Sequence, residues 1–262
     1  MAEDVWAVGE RYEPYVGRWS RRVAQDFLRW LSPPADARWL DVGCGTGALT
    51  EAITSMTAPS SVTALDASAE FLQTARGRMG TRAYLIRGAA DSLPLEDAVV
   101  DCVVSGLALN FFPDPSAAVA EMRRVTGDGG TIAAYVWDYA DGMQMMRAFW
   151  DAAVSLDPTA QSLHEGRRFP LCQPEPLAAL FVDAGLGDVS VTSLEVATAF
   201  ADFDDYWTPF LGGQGPGPGY CVALPDPQRD RLRERLRETL PVQADGSIPL
   251  TARAWGIRGS VT

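Results

Sequence analysis

A glycine-rich loop, Leu40-Asp41-Val42-Gly43-Cys44-Gly45-Thr46-Gly47, joins a short apolar run to a helical pattern that begins at Ala48. The alternating glycines permit turns with positive φ and let the backbone approach a ligand closely. The N-terminus of the following helix would offer unpaired N–H groups and a partial positive charge at this loop. Such a surface suits a dinucleotide pyrophosphate or the carboxylate of an amino acid.

Working outward from the loop, short apolar runs alternate with helical patterns between Arg38 and Trp137. Strands are predicted over residues 38–42, 61–65, 83–86, 99–105 and 131–137, and helices over residues 48–56, 69–79 and 116–125. The pair Gly129-Gly130 is predicted to turn the chain into the fifth strand. This alternation predicts a doubly wound α/β fold, in which helices cover both faces of a mostly parallel sheet.

The flanking segments predict an N-terminal helical cap and an inserted lid. A leading helix is expected over residues 16–31, an insertion with one helix over 138–173, a helix over 174–184, a strand over 189–194, an amphipathic helix over 228–240 and a last strand over 250–261. The predicted organisation is therefore a cap (residues 1–37), a Rossmann-like core (38–137) and the remainder of the sheet with acceptor-binding lid insertions (138–262).

The charge balance excludes several function classes. The net charge is −12, and all 22 basic residues are arginines, because the sequence contains no lysine. Binding to nucleic acid or to an anionic membrane usually needs a basic surface, so neither partner is expected. The absence of lysine also excludes a Schiff-base lysine and the phosphate-binding lysine of a P-loop.

The cysteines and the N-terminus indicate a cytoplasmic protein. Four scattered cysteines form no C-x-x-C pair, and no cluster of histidine and aspartate is present, so no metal site is expected. The acidic start, Met1-Ala2-Glu3-Asp4, lacks the apolar run of a signal peptide.

Three carboxylates follow predicted strands and suit a nucleoside-bearing cofactor. Asp41 lies two residues before the first glycine and either braces the loop or holds a cationic amino group. Asp66 ends the second strand, at the distance expected for a carboxylate that binds ribose hydroxyls, although a helix N-cap is its structural alternative. Asp91 follows the third strand and can accept a hydrogen bond from an adenine amine, or serve only as a turn residue.

This ordered set resembles the class I S-adenosylmethionine-dependent methyltransferases, in particular the small-molecule branch that includes the ubiquinone-type enzymes. Asp41 to Gly47 match the family's E/D-x-G-x-G-x-G loop at every position. The resemblance implies a seven-stranded sheet with an antiparallel last strand, and S-adenosylmethionine as the cofactor. It implies cofactor contacts at Gly43, Gly45 and Gly47 (methionine part), Asp66 (ribose), Ala67, Ala90 and Asp91 (adenine), and Ser105 and Leu107 (beside the sulfonium).

The same resemblance implies a residue before the first strand that caps the cofactor carboxylate. Tyr12, Tyr15 and Arg18 are the candidates. The expected reaction is in-line displacement at the sulfonium methyl by an oxygen, nitrogen or carbon of a small molecule. The protein then mainly orients the two reactants and excludes water.

Candidates for the acceptor side and for proton removal carry weaker signals. Asn110 and Phe111 follow the fourth strand, at the edge where open α/β sheets bind ligands. Trp207 and Phe210 are either acceptor contacts or lid core. His164, the only histidine, and Asp138 are the candidate bases, with an ordinary surface-loop histidine as the alternative for the former.

Two other functions are consistent with the loop. Gly43-Cys44-Gly45-Thr46-Gly47-Ala48 also satisfies the G-x-G-x-x-G/A pattern of a NAD-dependent oxidoreductase. Such an enzyme needs a proton relay that a chain with no lysine and one histidine can hardly supply. A non-catalytic S-adenosylmethionine-binding protein is the second alternative. A homodimer is possible.

Overall fold

The computed structural model describes residues 17–164, 166, 169–213 and 215–262. The chain divides into two compact units, each made of non-contiguous segments. The sheet unit comprises Ser20–Val136, Leu171–Leu194 and Ala254–Thr262. The helical unit comprises Trp137–Pro170, Glu195–Arg253 and the described residues up to Trp19. The contiguous boundaries proposed from the sequence stay a prediction.

Within the described residues, seven strands form one sheet. They are β1 (Arg38–Val42), β2 (Ser61–Asp66), β3 (Tyr84–Arg87), β4 (Val100–Gly106), β5 (Thr126–Trp137), β6 (Gly187–Ala197) and β7 (Thr251–Ser260). Their order across the sheet is β3-β2-β1-β4-β5-β7-β6, so the winding direction reverses between β1 and β4. In doubly wound folds, ligands bind at the carboxyl ends of the strands on either side of such a reversal.

The strand directions match the expected mixed sheet. The pairs β1–β2, β1–β4, β2–β3 and β4–β5 are parallel. The final strand runs antiparallel, because the start of β5 pairs with the chain just after β7. Gly129 N–H donates to the Val261 carbonyl at 2.9 Å, and Val261 N–H donates to the Gly130 carbonyl at 2.9 Å. This confirms the seven-stranded, mostly parallel sheet and its antiparallel last strand.

Helices pack on the sheet through short apolar faces, and two of them begin at side-chain caps. They are α1 (Arg18–Leu31, of which the first two residues belong to the helical unit), α2 (Ala48–Met56), α3 (Ala69–Met79), α4 (Pro115–Val125) and α6 (Pro174–Asp183). Ser68 caps α3 by accepting from the Phe71 N–H, and Asp114 caps α4 by accepting from the Ala117 N–H. Both are the polar N-cap types that stabilise a first turn.

The helical unit has an aromatic interior of its own. Its helices are α5 (Gln144–Leu156), α7 (Phe203–Trp207), α8 (Pro216–Ala223) and α9 (Asp226–Thr239). The rings of Phe149 and Phe210 stack with centroids 4.3 Å apart. The buried Tyr206 hydroxyl donates to the Met145 carbonyl at 2.9 Å, so the polar end of this ring is satisfied.

The fifth strand differs from its prediction. β5 begins at Thr126, five residues before the predicted start, so Gly129-Gly130 lie within the strand and do not form the turn before it. Two facts account for this. The backbone of both glycines pairs with Val261. At Gly130 a Cβ would lie 2.5 Å from the Thr126 Cγ2, so a larger residue would clash within the irregular start of this strand.

Two features are absent from the described residues, a membrane-spanning helix and a metal-binding cluster. In that part of the chain, no helix has the length and apolar character needed to cross a membrane. The same residues hold no group of three or more histidine, cysteine or acidic side chains arranged to bind a metal ion.

Candidate cofactor site

The glycine loop joins the end of β1 to the start of α2. Its glycines adopt the positive φ angles that the sequence predicts. Gly43, Gly45 and Gly47 have φ of 74°, 54° and 89°, and Gly47 is the N-cap of α2. No side chain accepts a hydrogen bond from the first turn of this helix at its cap. Apart from the Thr50 N–H, which is directed to Asp41, the N–H groups of this turn have no side-chain cap and suit a negatively charged or polar ligand group.

Gly43 and Gly45 have opposite surroundings. A Cβ on Gly43 would lie 2.7 Å from the Ala108 Cβ and 3.0 Å from the Phe112 ring, so this glycine lets the segment after β4 pack against the loop. A Cβ on Gly45 would meet no described atom within 4 Å. The backbone at Gly45 is thus open for the close approach of a ligand, whereas the backbone at Gly43 is closed by protein.

Asp66 fixes the loop from the end of β2. Its Oδ2 accepts the Gly45 N–H at 2.8 Å, and its Oδ1 accepts the Ser68 N–H at 2.8 Å. Burial raises the pKa of this carboxyl, while hydrogen bonds from the backbone of Ser68, Gly45 and Ala67 act in the opposite direction. A carboxylate has about four lone-pair positions, so it can still accept a hydrogen bond from a ligand, and its role in ribose binding stays a prediction. The N-cap alternative does not hold, because Ser68 provides the cap of α3.

Asp41 is a completely buried carboxyl at the end of β1. The Thr50 hydroxyl donates to its Oδ2 at 2.6 Å, but Oδ1 has no hydrogen-bond partner among the described residues. Burial raises the pKa of Asp41 to about 7, and the nearby charge of Asp66 contributes in the same direction. A buried, unpaired oxygen is costly, and a cationic or hydrogen-bonding ligand group would offset that cost.

The contribution of Thr50, which lies in the first turn of α2, was not predicted from the sequence. Its signal is the threonine three residues after Gly47, on the face of the helix that turns toward Asp41. A residue nine positions from its partner gives no periodic pattern, so only the strand-loop-helix geometry reveals the contact.

The end of β4 combines backbone strain with an unpaired polar group. Ser105 is completely buried, and its Oγ has no hydrogen-bond partner in the part of the chain that the structure describes. Leu107 has a φ of 59°, which is unusual for a side chain with a Cβ, and its N–H donates to the Tyr135 carbonyl at 2.8 Å. Such strain concentrates at functional sites. Whether Ser105 and Leu107 lie beside a sulfonium stays a prediction.

Asn110 continues this pattern one turn later, in a short 3₁₀ helix (Leu109–Phe111). Both its Nδ2 and its Oδ1 are buried and lack a hydrogen-bond partner within the described chain. Its neighbours Ala108 and Phe112 flank Gly43, so the amide is carried by the segment that packs on the glycine loop. Phe111, by contrast, is 38% exposed. An unpaired buried amide is the kind of group that a ligand satisfies.

The predicted adenine contacts follow β2 and β3. Ala67 is exposed, and its carbonyl accepts from the Arg87 Nε at 3.1 Å. Ala90 is half-buried, and Asp91 is exposed in a tight turn closed by pairing of Ala89 with Ser92. The positions suit an adenine edge, and their role stays a prediction.

Arg18 lies in the helical unit. Its Nη1 donates to Asp205 Oδ1 at 2.8 Å, and its guanidinium carbon lies 4.6 Å from the ring centroids of both Trp19 and Phe200. Its carboxylate-capping role stays a prediction. Tyr12 and Tyr15, the other capping candidates, lie outside the described residues.

Asp138, a predicted base, has both carboxylate oxygens engaged by neighbouring residues of the helical unit. Its Oδ2 accepts from the Arg253 Nε at 2.8 Å and Nη2 at 2.6 Å, and its Oδ1 accepts the Asp141 N–H at 3.0 Å. The carboxylate is buried, with its side chain 2% exposed. The arginine fork holds it in an ion pair, and its role as a base stays a prediction.

His164 and the predicted aromatic acceptor contacts also belong to the helical unit. The His164 Nδ1 accepts the Gly166 N–H at 3.0 Å, which places the proton of the neutral ring on Nε2. Trp207 and Phe210 are buried in the aromatic interior, so packing explains both without a ligand. Their roles in catalysis and acceptor binding stay predictions.

Comparisons with known proteins agree with this site. A family model described as "Methyltransferase domain" matches residues 40–134, the part of the chain that runs from β1 to β5. The malonyl-[acyl-carrier protein] O-methyltransferase of Pectobacterium atrosepticum is 33% identical over 182 residues, which cover 64% of this chain and 70% of that enzyme.

Two further relatives extend the comparison. The biotin biosynthesis bifunctional protein of Bordetella avium is 32% identical over 131 residues, which cover 48% of this chain but only 28% of that longer protein. The crystal structure of a methyltransferase-like protein from Bacillus halodurans shares the fold with a TM-score of 0.60 and 15% identity, covering 91% of this chain and 99% of that one. Together with the glycine loop and its bracing carboxylates, these matches show that the chain belongs to the class I S-adenosylmethionine-dependent methyltransferases.

Proposed function

We propose that this protein transfers a methyl group from S-adenosylmethionine to an oxygen, nitrogen or carbon of a small molecule. The observation that carries the proposal is the open backbone at Gly45, where a Cβ would meet nothing within 4 Å. This opening is held by Asp66 and lies in the loop that starts at Asp41, whose Oδ1 is buried and unpaired among the described residues. A cofactor that carries both an ammonium and a ribose fits this set of groups.

Each part of the proposed cofactor has a residue suited to it. Gly43, Gly45 and Gly47 would line its methionine part. The Asp41 carboxylate would stabilise the ammonium, either by accepting a hydrogen bond from it or by holding the loop backbone that contacts it. Asp66 would accept from the ribose hydroxyls with its remaining lone pairs. Asp91 would accept from the adenine amine. All of these residues belong to the sheet unit.

When bound, S-adenosylmethionine supplies an electrophilic methyl group on a sulfonium. The protein has to align an acceptor atom with that methyl group for in-line displacement and to keep water away. Ser105 and Asn110 are the polar groups at the end of β4 with no partner of their own within the described residues. We infer that the Asn110 amide orients the acceptor, because it has both a donor and an acceptor to offer.

The first acceptors to test are acidic oxygens. The name of the Pectobacterium relative states that it methylates oxygen. An ionised carboxylic acid or phenol already carries the electron pair that attacks the methyl group, so no base is needed. This agrees with the engagement of Asp138 by Arg253 and makes His164 dispensable.

Isothermal titration calorimetry with S-adenosylhomocysteine and with NADH tests the cofactor. Binding of the former and not of the latter supports the proposal, whereas the reverse result establishes the oxidoreductase alternative. Transfer of labelled methyl from S-adenosylmethionine is then assayed with panels of small carboxylic acids, phenols and amines. Cofactor binding without transfer to any of them would favour the non-catalytic binding protein. Sedimentation of the same sample tests the proposed homodimer.

A further inference from the structure

The chain between β3 and β4 has no regular structure over most of its length, yet α4 holds it at several points. We name residues 88–99 the adenine loop, since Asp91 lies within it. Arg124 Nη1 donates to the Leu95 carbonyl at 2.8 Å and to Asp97 Oδ1 at 2.7 Å, and its Nη2 donates to the Leu93 carbonyl at 3.0 Å. One side chain thus contacts three successive odd-numbered positions of the loop.

Glu121 completes this attachment from one turn earlier on α4. Its two oxygens accept from Arg124 Nε and Nη2, both at 2.7 Å, and its Oε2 also accepts the Leu93 N–H at 2.8 Å. The pairing raises the pKa of Arg124 and lowers that of Glu121, so both groups stay charged. Every guanidinium nitrogen of Arg124 is engaged, which fixes its planar fork.

The attachment spans the second half of the loop and ends close to Asp91. Leu93 is buried, and the Ala98 N–H donates to the Arg124 carbonyl at 3.0 Å. Asp91 is exposed only two residues before Leu93, in the turn that Ala89 and Ser92 close. The turn that carries this carboxylate is therefore attached to α4 at Leu93, through the Glu121–Arg124 pair.

We infer that Arg124 and Glu121 are positioning residues that hold Asp91 in place to recognise the amino group of adenine. The inference rests on the proposed function. A carboxylate on an ordered loop loses little entropy when it accepts a hydrogen bond from a ligand, whereas a mobile one must be ordered first. The 6-amino group of adenine can donate a hydrogen bond to this carboxylate. The 6-oxo group of hypoxanthine is an acceptor, so it cannot donate to the carboxylate and is repelled by it.

This role differs from plain structural support in one measurable respect. If the pair only stabilises the fold, its loss weakens the binding of every adenosyl-like ligand equally. If it positions Asp91, its loss also removes the preference for adenine over hypoxanthine. The readout is therefore the ratio of Kd for S-inosylhomocysteine to Kd for S-adenosylhomocysteine, measured by calorimetry on the full chain.

We expect the unmodified protein to prefer the adenosyl compound about tenfold, as one good hydrogen bond to a charged group predicts. Arg124→Met and Asp91→Asn should each bring the two Kd values close together, and Arg124→Lys should not restore the preference, because an ammonium cannot span the same acceptors. Hydrogen exchange of the Leu93 amide should become faster in Arg124→Met.

Arg38→Met is the matched control. Arg38 pairs with Asp101 through Nε at 3.0 Å and Nη2 at 2.7 Å, and is likewise a half-exposed fork on this unit, but it does not touch the adenine loop. It should keep the preference. If Arg124→Met fails to fold, Glu121→Gln tests the same point with no change in size.

The outcomes are separable. No binding of S-adenosylhomocysteine by the unmodified protein overturns the proposed function itself. Binding without a preference for the adenosyl compound overturns the role of Asp91 and this inference with it. A preference that survives in Arg124→Met and Glu121→Gln shows that the pair is structural support alone.

Discussion

The Thr50 hydroxyl donates a 2.6 Å hydrogen bond to Asp41 Oδ2 and so ties the first turns of α2 to the end of β1 across the glycine loop. Both residues are completely buried. The donor satisfies half of a carboxylate whose other oxygen has no partner within the described residues. This contact therefore stabilises the glycine loop. Because Asp41 also carries the oxygen proposed to contact the ligand, both the stability of the loop and its affinity for ligand depend on this carboxyl.

Replacing Thr50 by valine keeps the shape of the side chain and removes this donor. We expect Thr50→Val to lower the free energy of unfolding by about 2 kcal/mol, because the buried Asp41 carboxylate loses its hydroxyl donor and keeps only the hydrogen bond from the Thr50 backbone. Urea denaturation at pH 8 measures the effect. Thr54→Val is the control, since the Thr54 hydroxyl donates only to the Glu51 carbonyl of its own helix. Equal losses in the two variants would contradict a special role for the Asp41 contact.

Stability should fall as pH rises toward neutrality because of Asp41. Its pKa is raised to about 7, chiefly by burial, while in the unfolded chain it is about 4. The folded state therefore holds a proton across this window that the unfolded state has lost, and the free energy of unfolding decreases with increasing pH. The full effect is about 4 kcal/mol.

Urea denaturation of the unmodified protein and of Asp41→Asn between pH 4 and pH 8 measures this effect. The variant should lack this part of the pH dependence, so its stability relative to the unmodified protein should improve as pH rises. Two curves that stay parallel over the whole range would show that Asp41 is not the titrating group.

Alanine at two glycines of the loop should separate folding from binding. Gly43→Ala places a methyl group 2.7 Å from the Ala108 Cβ, at a φ of 74°, so we expect a loss of more than about 2 kcal/mol of stability. Gly45→Ala meets only the left-handed strain of about 1 kcal/mol but fills the opening proposed for the ligand. It should weaken S-adenosylhomocysteine at least about tenfold.

Gly246→Ala is the control for strain alone. Gly246 has a φ of 87°, and a Cβ there would meet nothing within 4 Å. It should lose stability as Gly45→Ala does and bind S-adenosylhomocysteine normally. If Gly45→Ala also binds normally, the opening at Gly45 does not hold the cofactor.

Removing an unpaired amide should stabilise the protein. Asn110→Leu preserves volume and replaces two buried polar groups that lack partners in the described chain. We expect a gain of about 1 kcal/mol in thermal or urea denaturation, with loss of methyl transfer. Thr198→Val is the control, since its buried Oγ1 is likewise unpaired within the described residues but lies in the helical unit. A destabilised Asn110→Leu variant would mean that the amide serves the fold.

Asp138→Asn tests whether the carboxylate of the Arg253 pair is structural. The substitution removes the buried carboxylate that pairs with the Arg253 fork and leaves the more distant Glu195, 4.0 Å from Nη1, so we expect a loss of about 3 kcal/mol of stability. Once an acceptor is known, the pH profile of kcat should keep its shape in this variant. Loss of the acidic limb of that profile, where a base becomes protonated, with unchanged stability would instead support Asp138 as the base.

The sequence predicted the sheet unit well because local signals and the fold agree there. The loop from Asp41 to Gly47 and the strand end at Asp66 depend on residues that are near neighbours in the chain, and the structure places them as expected. The start of β5 was wrong because it depends on pairing with Val261, more than a hundred residues away.

The braces of the site were not predictable for the same reason. The Thr50–Asp41 contact and the attachment of Leu93 by Glu121 join separate elements, and neither leaves a periodic trace in the sequence. The same holds for the pairing of Asp138 with Arg253, 115 positions later in the chain. Pairing between distant residues decides whether a carboxylate is available, and composition and spacing do not encode it.

The contact between Gly106 and Tyr135 limits how this family member can evolve. A Cβ on Gly106 would lie 2.6 Å from the Tyr135 hydroxyl, so any larger residue at the end of β4 must displace a completely buried ring. A larger residue at position 106 is therefore tolerated only if a smaller residue replaces Tyr135 earlier or at the same time. We expect homologues to show these two positions changing together, with a side chain at 106 accompanied by a smaller residue in place of the tyrosine.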